Sequence, residues 1–253
     1  MNGLSADNKY SQNIVIPCSD TDAGFRLKPA SFMDLMQEIA YRAATVLHFG
    51  YDDLQTHHTA WVLSRMHFKF TNPPLWRDEV KLETWHKGLD GLLFLRDFRM
   101  SDMAGRELLT CTSSWLVINT ETRRLVRSTE LLDVVPEDTM CHDDAIAEHC
   151  QKVAMPKDAV PEKVGEHRVS YSDVDIIGHT NNARYMVWAM DCIDYAEVTA
   201  SPLKEAKINF IKETVPGEVV ELYRFRTEDE GRKAFFIEGL AGGKAAFCIE
   251  LIF

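Results

Sequence analysis

Two rhythms alternate along the chain. NIVIPC (13–18) is an extended apolar stretch, and the polar loop SDTDAGFRLKP (19–29) follows it. In ASFMDLMQEIAYRAATVLHFG (30–50), Phe32, Leu35, Met36, Ile39, Ala43 and Val46 recur at steps of three and four. That spacing predicts a helix with one apolar face, and Pro29 suits its first turn, where a missing N–H costs little. Four strand-like runs come next: WVLSRMHFKF (61–70), EVKLETWHKG (79–88), LLFLRDFRMS (92–101) and ELLTCTSSWLVIN (107–119). NPP (72–74), GLDG (88–91) and MAG (103–105) punctuate them as turns.

The same order then repeats. A strand near GEHRVS (165–170) precedes the loop SDVDIIGHTN and a helix over NARYMVWAMDCIDYAEV (182–198), whose apolar face is Ala183, Met186, Val187, Met190 and Ile193. Four more strands are predicted at 205–214, 218–227, 232–240 and 244–253. SDTD at 19–22 corresponds to SDVD at 172–175, DEV at 78–80 to GEV at 217–219, and Gly105 to Gly243. Internal duplication accounts for this order, each unit being a helix covered by an antiparallel sheet. Residues 135–163 are polar and proline-punctuated and read as a linker. The expected domains are therefore 1–134, 135–163 and 164–253, in the α+β class.

Composition narrows the setting without changing that outline. With 45% hydrophobic and 26% charged residues the chain has the make-up of a soluble globular protein. A formal net charge of −11 argues against a general nucleic-acid binder. MNGLSADNKY lacks a secretory pattern, no apolar run reaches membrane-spanning length, and six scattered cysteines lack C-x-x-C spacing. These features lead us to expect a cytoplasmic protein with reduced thiols and no membrane partner.

Polar chemistry gathers in YSDVDIIGHTNNARYMVWAM (171–190), immediately before a helix. Taken alone, Asn181 suits a helix cap, Asp173 and Asp175 suit loop acids bonded to nearby backbone, and His179 suits a loop. Tyr185 and Trp188 read as core, and Glu213 as a solvated strand-end acid. The first-half loop keeps two acids but has neither a histidine nor an asparagine pair. A chemical site is therefore expected in the second half only.

Asp175, His179, Asn181, Asn182 and Tyr185 resemble the D-x-N-x-H-x-N-N-x-x-Y signature of acyl-acyl-carrier-protein thioesterases. FIKET (210–214) is similar to the strand end of that family, with Glu213 at its glutamate and Thr214 at its cysteine. The LKP helix start and the WVLSR strand extend the likeness over nearly the whole chain. Ile177 departs from it, standing where the family has asparagine, so that role is lost or passes to Asn181 or Asn182.

The resemblance implies a tandem (double) hotdog, each half a long central helix wrapped by an antiparallel sheet. It also implies hydrolysis of fatty acyl-carrier-protein thioesters without a cofactor. His179 and Glu213 would activate water, Asp175 would orient them, and the helix end at Asn181–Asn182 would polarise the carbonyl. The first half would hold the acyl chain, with Phe32, Met33 and Met36 either lining it or forming plain core. An acyl-CoA thioesterase of the same fold and a non-catalytic acyl-binding protein stay open, as does a homodimer.

Other clusters are weaker. Cys141, His142, His149 and Cys150 sit in adjacent pairs rather than at zinc spacing, so no metal is expected. GLAGGKAAF (239–247) reads as a hairpin, and no G-x-S-x-G occurs. An acidic carrier would be met by basic residues, with Arg123, Arg124 and Arg127 the densest group and Lys204, Lys207 and Lys212 a thinner one.

Overall fold

The computed structural model describes residues 3–127, 135–229 and 231–253. They divide into two units, one of residues up to 28 with 34–150, the other of 29–33 with 151–253. The boundary expected at 134 falls outside the described residues.

The first unit contains β1 (Gly3–Leu4), β2 (Tyr10–Val15), α2 (Tyr51–Gln55), β3 (Thr59–Phe70), β4 (Glu79–Asp90), β5 (Leu93–Asp102) and β6 (Glu107–Asn119), along with most of α1 (Pro29–Val46). Its strands pair in the order β1-β2-β4-β5-β6-β3, all antiparallel. Pro29 opens α1 at its first turn, as expected. The buried stripe runs through Phe32, Met36, Ile39, Ala43 and Leu47, with Met33 and Ala40 beside it. Val46, expected on that stripe, is exposed because Leu47, four residues after Ala43, takes the inward position instead. The helix stops where His48 turns to φ 63° and its amide bonds the Thr45 carbonyl, a left-handed termination. Ala44, Leu47, Phe49, Leu54, Phe94 and Val117 form one buried cluster, which packs α1 against β5 and β6.

The second unit contains β7 (Glu162–Arg168), α3 (Asn182–Asp191), α4 (Tyr195–Ala200), β8 (Glu205–Phe210), β9 (Val219–Asp229), β10 (Arg232–Ala241) and β11 (Lys244–Ile252). Its strand order is β8-β11-β10-β9-β7. Read from the other edge, β7-β9-β10-β11-β8 repeats β2-β4-β5-β6-β3, so the repeat seen in sequence is also a repeat of strand pairing. The helix expected over 182–198 is broken into α3 and α4. The Cys192 amide closes onto the Trp188 and Ala189 carbonyls, and Arg224 Nη1 on β9 takes the Cys192 carbonyl at 2.7 Å. A side chain from another strand thus ends α3 without glycine or proline.

Residues 141–150 lie over the first sheet. The Asp143 carbonyl accepts from Trp85 Nε1 at 2.7 Å, and Arg99 Nη2 donates to the Asp144 carbonyl at 3.1 Å. No described helix is long and apolar enough to cross a membrane.

Gly239 is the tightest glycine position. It pairs across strands with Phe247, and a Cβ there would come within 2.2 Å of the Phe247 ring. That ring is fully buried and lies 4.8 Å from Tyr185. Gly239→Ala is expected to lose about 1–3 kcal/mol through overpacking. Urea denaturation checks it, and an unchanged midpoint would contradict it.

Candidate active site

The loop ahead of α3 is built on a backbone frame. The Asp175 amide donates to the His179 carbonyl at 2.9 Å, and Asp175 Oδ1 accepts the Ile177 and His179 amides at 3.0 and 3.3 Å. This carboxylate therefore reaches His179 through its backbone rather than its ring. Gly178 supplies the positive φ of 82° that the turn needs. The Asn181 amide donates to the Asp173 carbonyl, and the Thr180 amide to the Thr214 carbonyl, at 2.8 and 2.9 Å. The second bond ties the loop to the segment after β8.

Asn181 caps α3, its Oδ1 accepting the Ala183 amide at 2.8 Å. The Arg184 amide bonds the Asn181 carbonyl. Among the described residues, the Asn182 amide is left at the helix N-terminus without an internal acceptor, where partial positive charge gathers.

His179 and Glu213 meet. Nδ1 of His179 lies 3.2 Å from Oε2 of Glu213, with side chains 25% and 43% exposed, so the pair is reachable by solvent yet partly sheltered. Ile177 is 53% exposed, and its amide, not its side chain, serves the loop.

Asp173 belongs to a different network. It is buried, and its Oδ2 accepts from His167 Nε2 and the Ser170 amide, both at 2.8 Å. His167 packs on Trp188 with centroids 4.4 Å apart. This acid therefore holds the turn, and nothing local in the sequence pointed to His167 as its partner.

Thr214 Oγ1 is wholly buried, 2.7 Å from Thr180 Oγ1 and 3.0 Å from the Tyr185 hydroxyl. A hydroxyl so enclosed is no nucleophile. Tyr185 was read as core, and its ring is core, lying edge-on to Trp188 at 5.1 Å. Its hydroxyl nevertheless fastens the residue after Glu213. Burial raises the Tyr185 phenol above its usual value, so it stays protonated. Tyr185→Phe is expected to lower kcat about two- to tenfold with KM unchanged, the loss of one hydrogen bond. Thr214→Ser should retain wild-type kcat. Steady-state assays beside a melting curve check both, and unaltered kcat in Tyr185→Phe would contradict the first.

The first loop has the same frame without the chemistry. The Asp22 amide donates to the Arg26 carbonyl, and Asp22 Oδ1 accepts the Gly24 and Arg26 amides. The Lys28 amide bonds the Asp20 carbonyl, and the Leu27 amide the Pro74 carbonyl. Arg26 thus stands where His179 stands, Gly24 where Ile177 stands, and Pro74 where Thr214 stands. Arg26 Nε pairs with Asp22 Oδ2 at 3.0 Å.

Cys141 and Cys150 are buried, and His149 Nδ1 lies 3.0 Å from Asp90 Oδ2. His149 thus turns to Asp90 and the Cys150 thiol to the Thr112 carbonyl, while Cys141 lies near Asp7 and Asp143.

Comparison with known proteins adds the following. A model described as the acyl-ACP thioesterase N-terminal domain matches residues 7–134, and one described as the C-terminal domain matches residues 157–245. The chain is 26% identical over 225 residues to oleoyl-acyl carrier protein thioesterase 2, chloroplastic, of Arabidopsis thaliana, covering 84% of this chain and 61% of that one. It is 30% identical over 193 residues to palmitoyl-acyl carrier protein thioesterase, chloroplastic, of Gossypium hirsutum, covering 72% and 46%. The chain thus spans about three fifths or less of the length of these two relatives. Among solved structures, an acyl-ACP thioesterase from Bacteroides thetaiotaomicron matches with a TM-score of 0.86 at 22% identity over 98% of each chain. The 12:0-ACP thioesterase from Umbellularia californica matches with 0.86 at 20% over 98% of each. At such identity the likeness concerns the fold, which is the tandem hotdog expected from the sequence.

Proposed function

The chain belongs to the acyl-ACP thioesterase family, and from that premise we propose that it hydrolyses fatty acyl thioesters of acyl carrier protein to free fatty acid and carrier. The single observation that supports this most is the His179–Glu213 contact of 3.2 Å beside the N-terminus of α3. With Nδ1–H donated to Glu213, Nε2 of His179 is the open acceptor and takes a proton from water as its oxygen attacks the thioester carbonyl. The Asn182 amide and the positive end of α3 stabilise the oxyanion as it forms. Collapse of the tetrahedral species breaks the C–S bond, and the imidazolium returns its proton to the departing thiolate. Asp175 positions the His179 backbone, and Asn181 caps the helix.

The first hotdog, residues 1–134 in the expected division, holds the acyl chain, and the second carries the chemistry. Arg123, Arg124 and Arg127 are exposed and form the basic face offered to the carrier. Lys207 and Lys212 are paired with Glu250 and Glu218.

Purified protein is expected to release fatty acid from acyl carrier protein thioesters with kcat/KM above that for the matching CoA thioesters. A preference for CoA would demote the carrier, and binding of acyl carrier protein without turnover would favour a non-catalytic acyl binder.

A further inference from the structure

The inner face of the first sheet is apolar at its ends and polar in the middle. Phe94 belongs to the cluster that meets Ala44 of α1 and Leu47 just after it, so the residues of β5 in step with it, Arg96 and Phe98, turn to the same side. Arg96 is only 7% exposed. Its cross-strand partner on β4 is His86, 3% exposed. Phe49 stands beside both, its ring 6.2 Å from the His86 ring and 5.9 Å from the Arg96 guanidinium carbon.

Both polar groups keep hydrogen-bonding capacity to spare. Arg96 Nη1 donates to Thr84 Oγ1 at 3.2 Å, and among the described residues no carboxylate pairs with the guanidinium. Burial brings it down to about 10, which leaves it charged at neutral pH. His86 Nδ1 lies 2.8 Å from the Leu95 carbonyl, an oxygen that only accepts, so Nδ1 carries the hydrogen and Nε2 a bare lone pair. That Nε2 is buried and, among the described residues, meets no partner. Burial, with the charge of Arg96 against it, pushes the imidazole down to about 4, so the lone pair persists at neutral pH.

A donor surplus and an open acceptor on adjacent strands define what would fit between them. A methylene satisfies neither, and a carboxylate suits Arg96 but faces the His86 lone pair. A hydroxyl accepts from Arg96 and donates to Nε2. We infer that the interior of the first unit holds a site for a hydroxyl group borne by the acyl chain, gripped by Arg96 and His86 between Phe49 and Phe94. This rests on the reading that the first hotdog holds the acyl chain, and it specifies the chain's chemistry.

Carrier-protein thioesters of one chain length test it: unsubstituted, hydroxylated at successive carbons, and carboxylated at the far end. One hydroxylated isomer is expected to exceed the unsubstituted chain about tenfold in kcat/KM, the worth of a hydrogen bond to a charged group. Arg96→Met and His86→Phe should each erase that ratio. Calorimetric binding of the corresponding free acids to the wild-type protein should give the same ranking, without relying on turnover or on variants that fold. Hydrolysis with a flat ranking, as a trapped water would produce, overturns the site and leaves the hydrolase. Selective binding of a hydroxy acid without hydrolysis supports the site and sinks the hydrolase reading. A carboxylated chain ranking first overturns the site.

Discussion

Glu213→Gln is expected to reduce kcat on acyl carrier protein substrates by about 10²–10⁴, the range for removing one partner of a general-base pair. Glutamine keeps the side chain's shape and a hydrogen-bonding oxygen for His179 Nδ1, but it cannot offset the imidazolium that forms as water is deprotonated. His179→Ala should fall in the same range, because the group that takes the proton is gone. The two act as a unit across 3.2 Å, so the double variant should be scarcely slower than the worse single. Stability is a clean control. Both side chains are partly exposed, and substitutions at such places usually move it by no more than about 0.5 kcal/mol. Single-turnover hydrolysis alongside urea denaturation makes the measurement. Equal turnover by wild type and both variants would end the proposed mechanism, and multiplicative losses in the double would show that the residues act separately.

Lys87→Met is expected to cost about 3–5 kcal/mol of stability at neutral pH, the usual result of stripping the partner from a buried charge. Asp97 is wholly buried on β5, with its Oδ2 3.2 Å from Lys87 Nζ and accepting the Ala145 amide at 2.7 Å. Lys87 in turn reaches Asp144 and the Ile146 carbonyl at 2.9 and 2.8 Å. Burial raises the Asp97 carboxyl above its usual value, while Lys87 and the Ala145 amide pull it back. Removing the ammonium lets burial dominate. Because the folded value then lies further above the unfolded one, the penalty is present at neutral pH and fades as pH falls toward the unfolded carboxylate value near 3.8. The deficit relative to wild type should therefore shrink between pH 7.5 and pH 5. Asp97→Leu in the Lys87→Met background should restore much of the loss. A deficit independent of pH would rule out the carboxylate as its source.

The fold was legible wherever a residue's fate depends on its near neighbours. Strand runs such as WVLSRMHFKF and ELLTCTSSWLVIN emerged as β3 and β6 because β-rich runs and turn residues are local signals. The split between α3 and α4 was not legible, since the group that ends α3 is Arg224, 32 residues beyond Cys192. The same distance in sequence hid the polar groups buried on the two faces of the first sheet, His86 and Arg96 on the α1 side and Lys87 and Asp97 beneath residues 144–146. WHKG and LRDF carry their charges within predicted strand runs with no local sign of burial, yet His86, Lys87, Arg96 and Asp97 are all buried. In the candidate site, His179 and Glu213 stood out through resemblance, and the structure brings them together. The hydroxyl cluster of Thr180, Tyr185 and Thr214 spans 34 residues and became visible only once those residues were in contact.

Arg26 and His179 occupy the same place on the same backbone frame, and that has a genetic meaning. In a pair of identical subunits every loop is encoded once and expressed twice, so no mutation can change one copy and spare the other. Joining two copies in one reading frame dissolves that bond. Asp22 and Asp175 continue to answer for the turn, while the residue four places on is free to diverge, histidine in one half and arginine in the other. On the proposed assignment the first loop is held by its folding alone, and new specificity can accumulate there without touching His179 or Glu213.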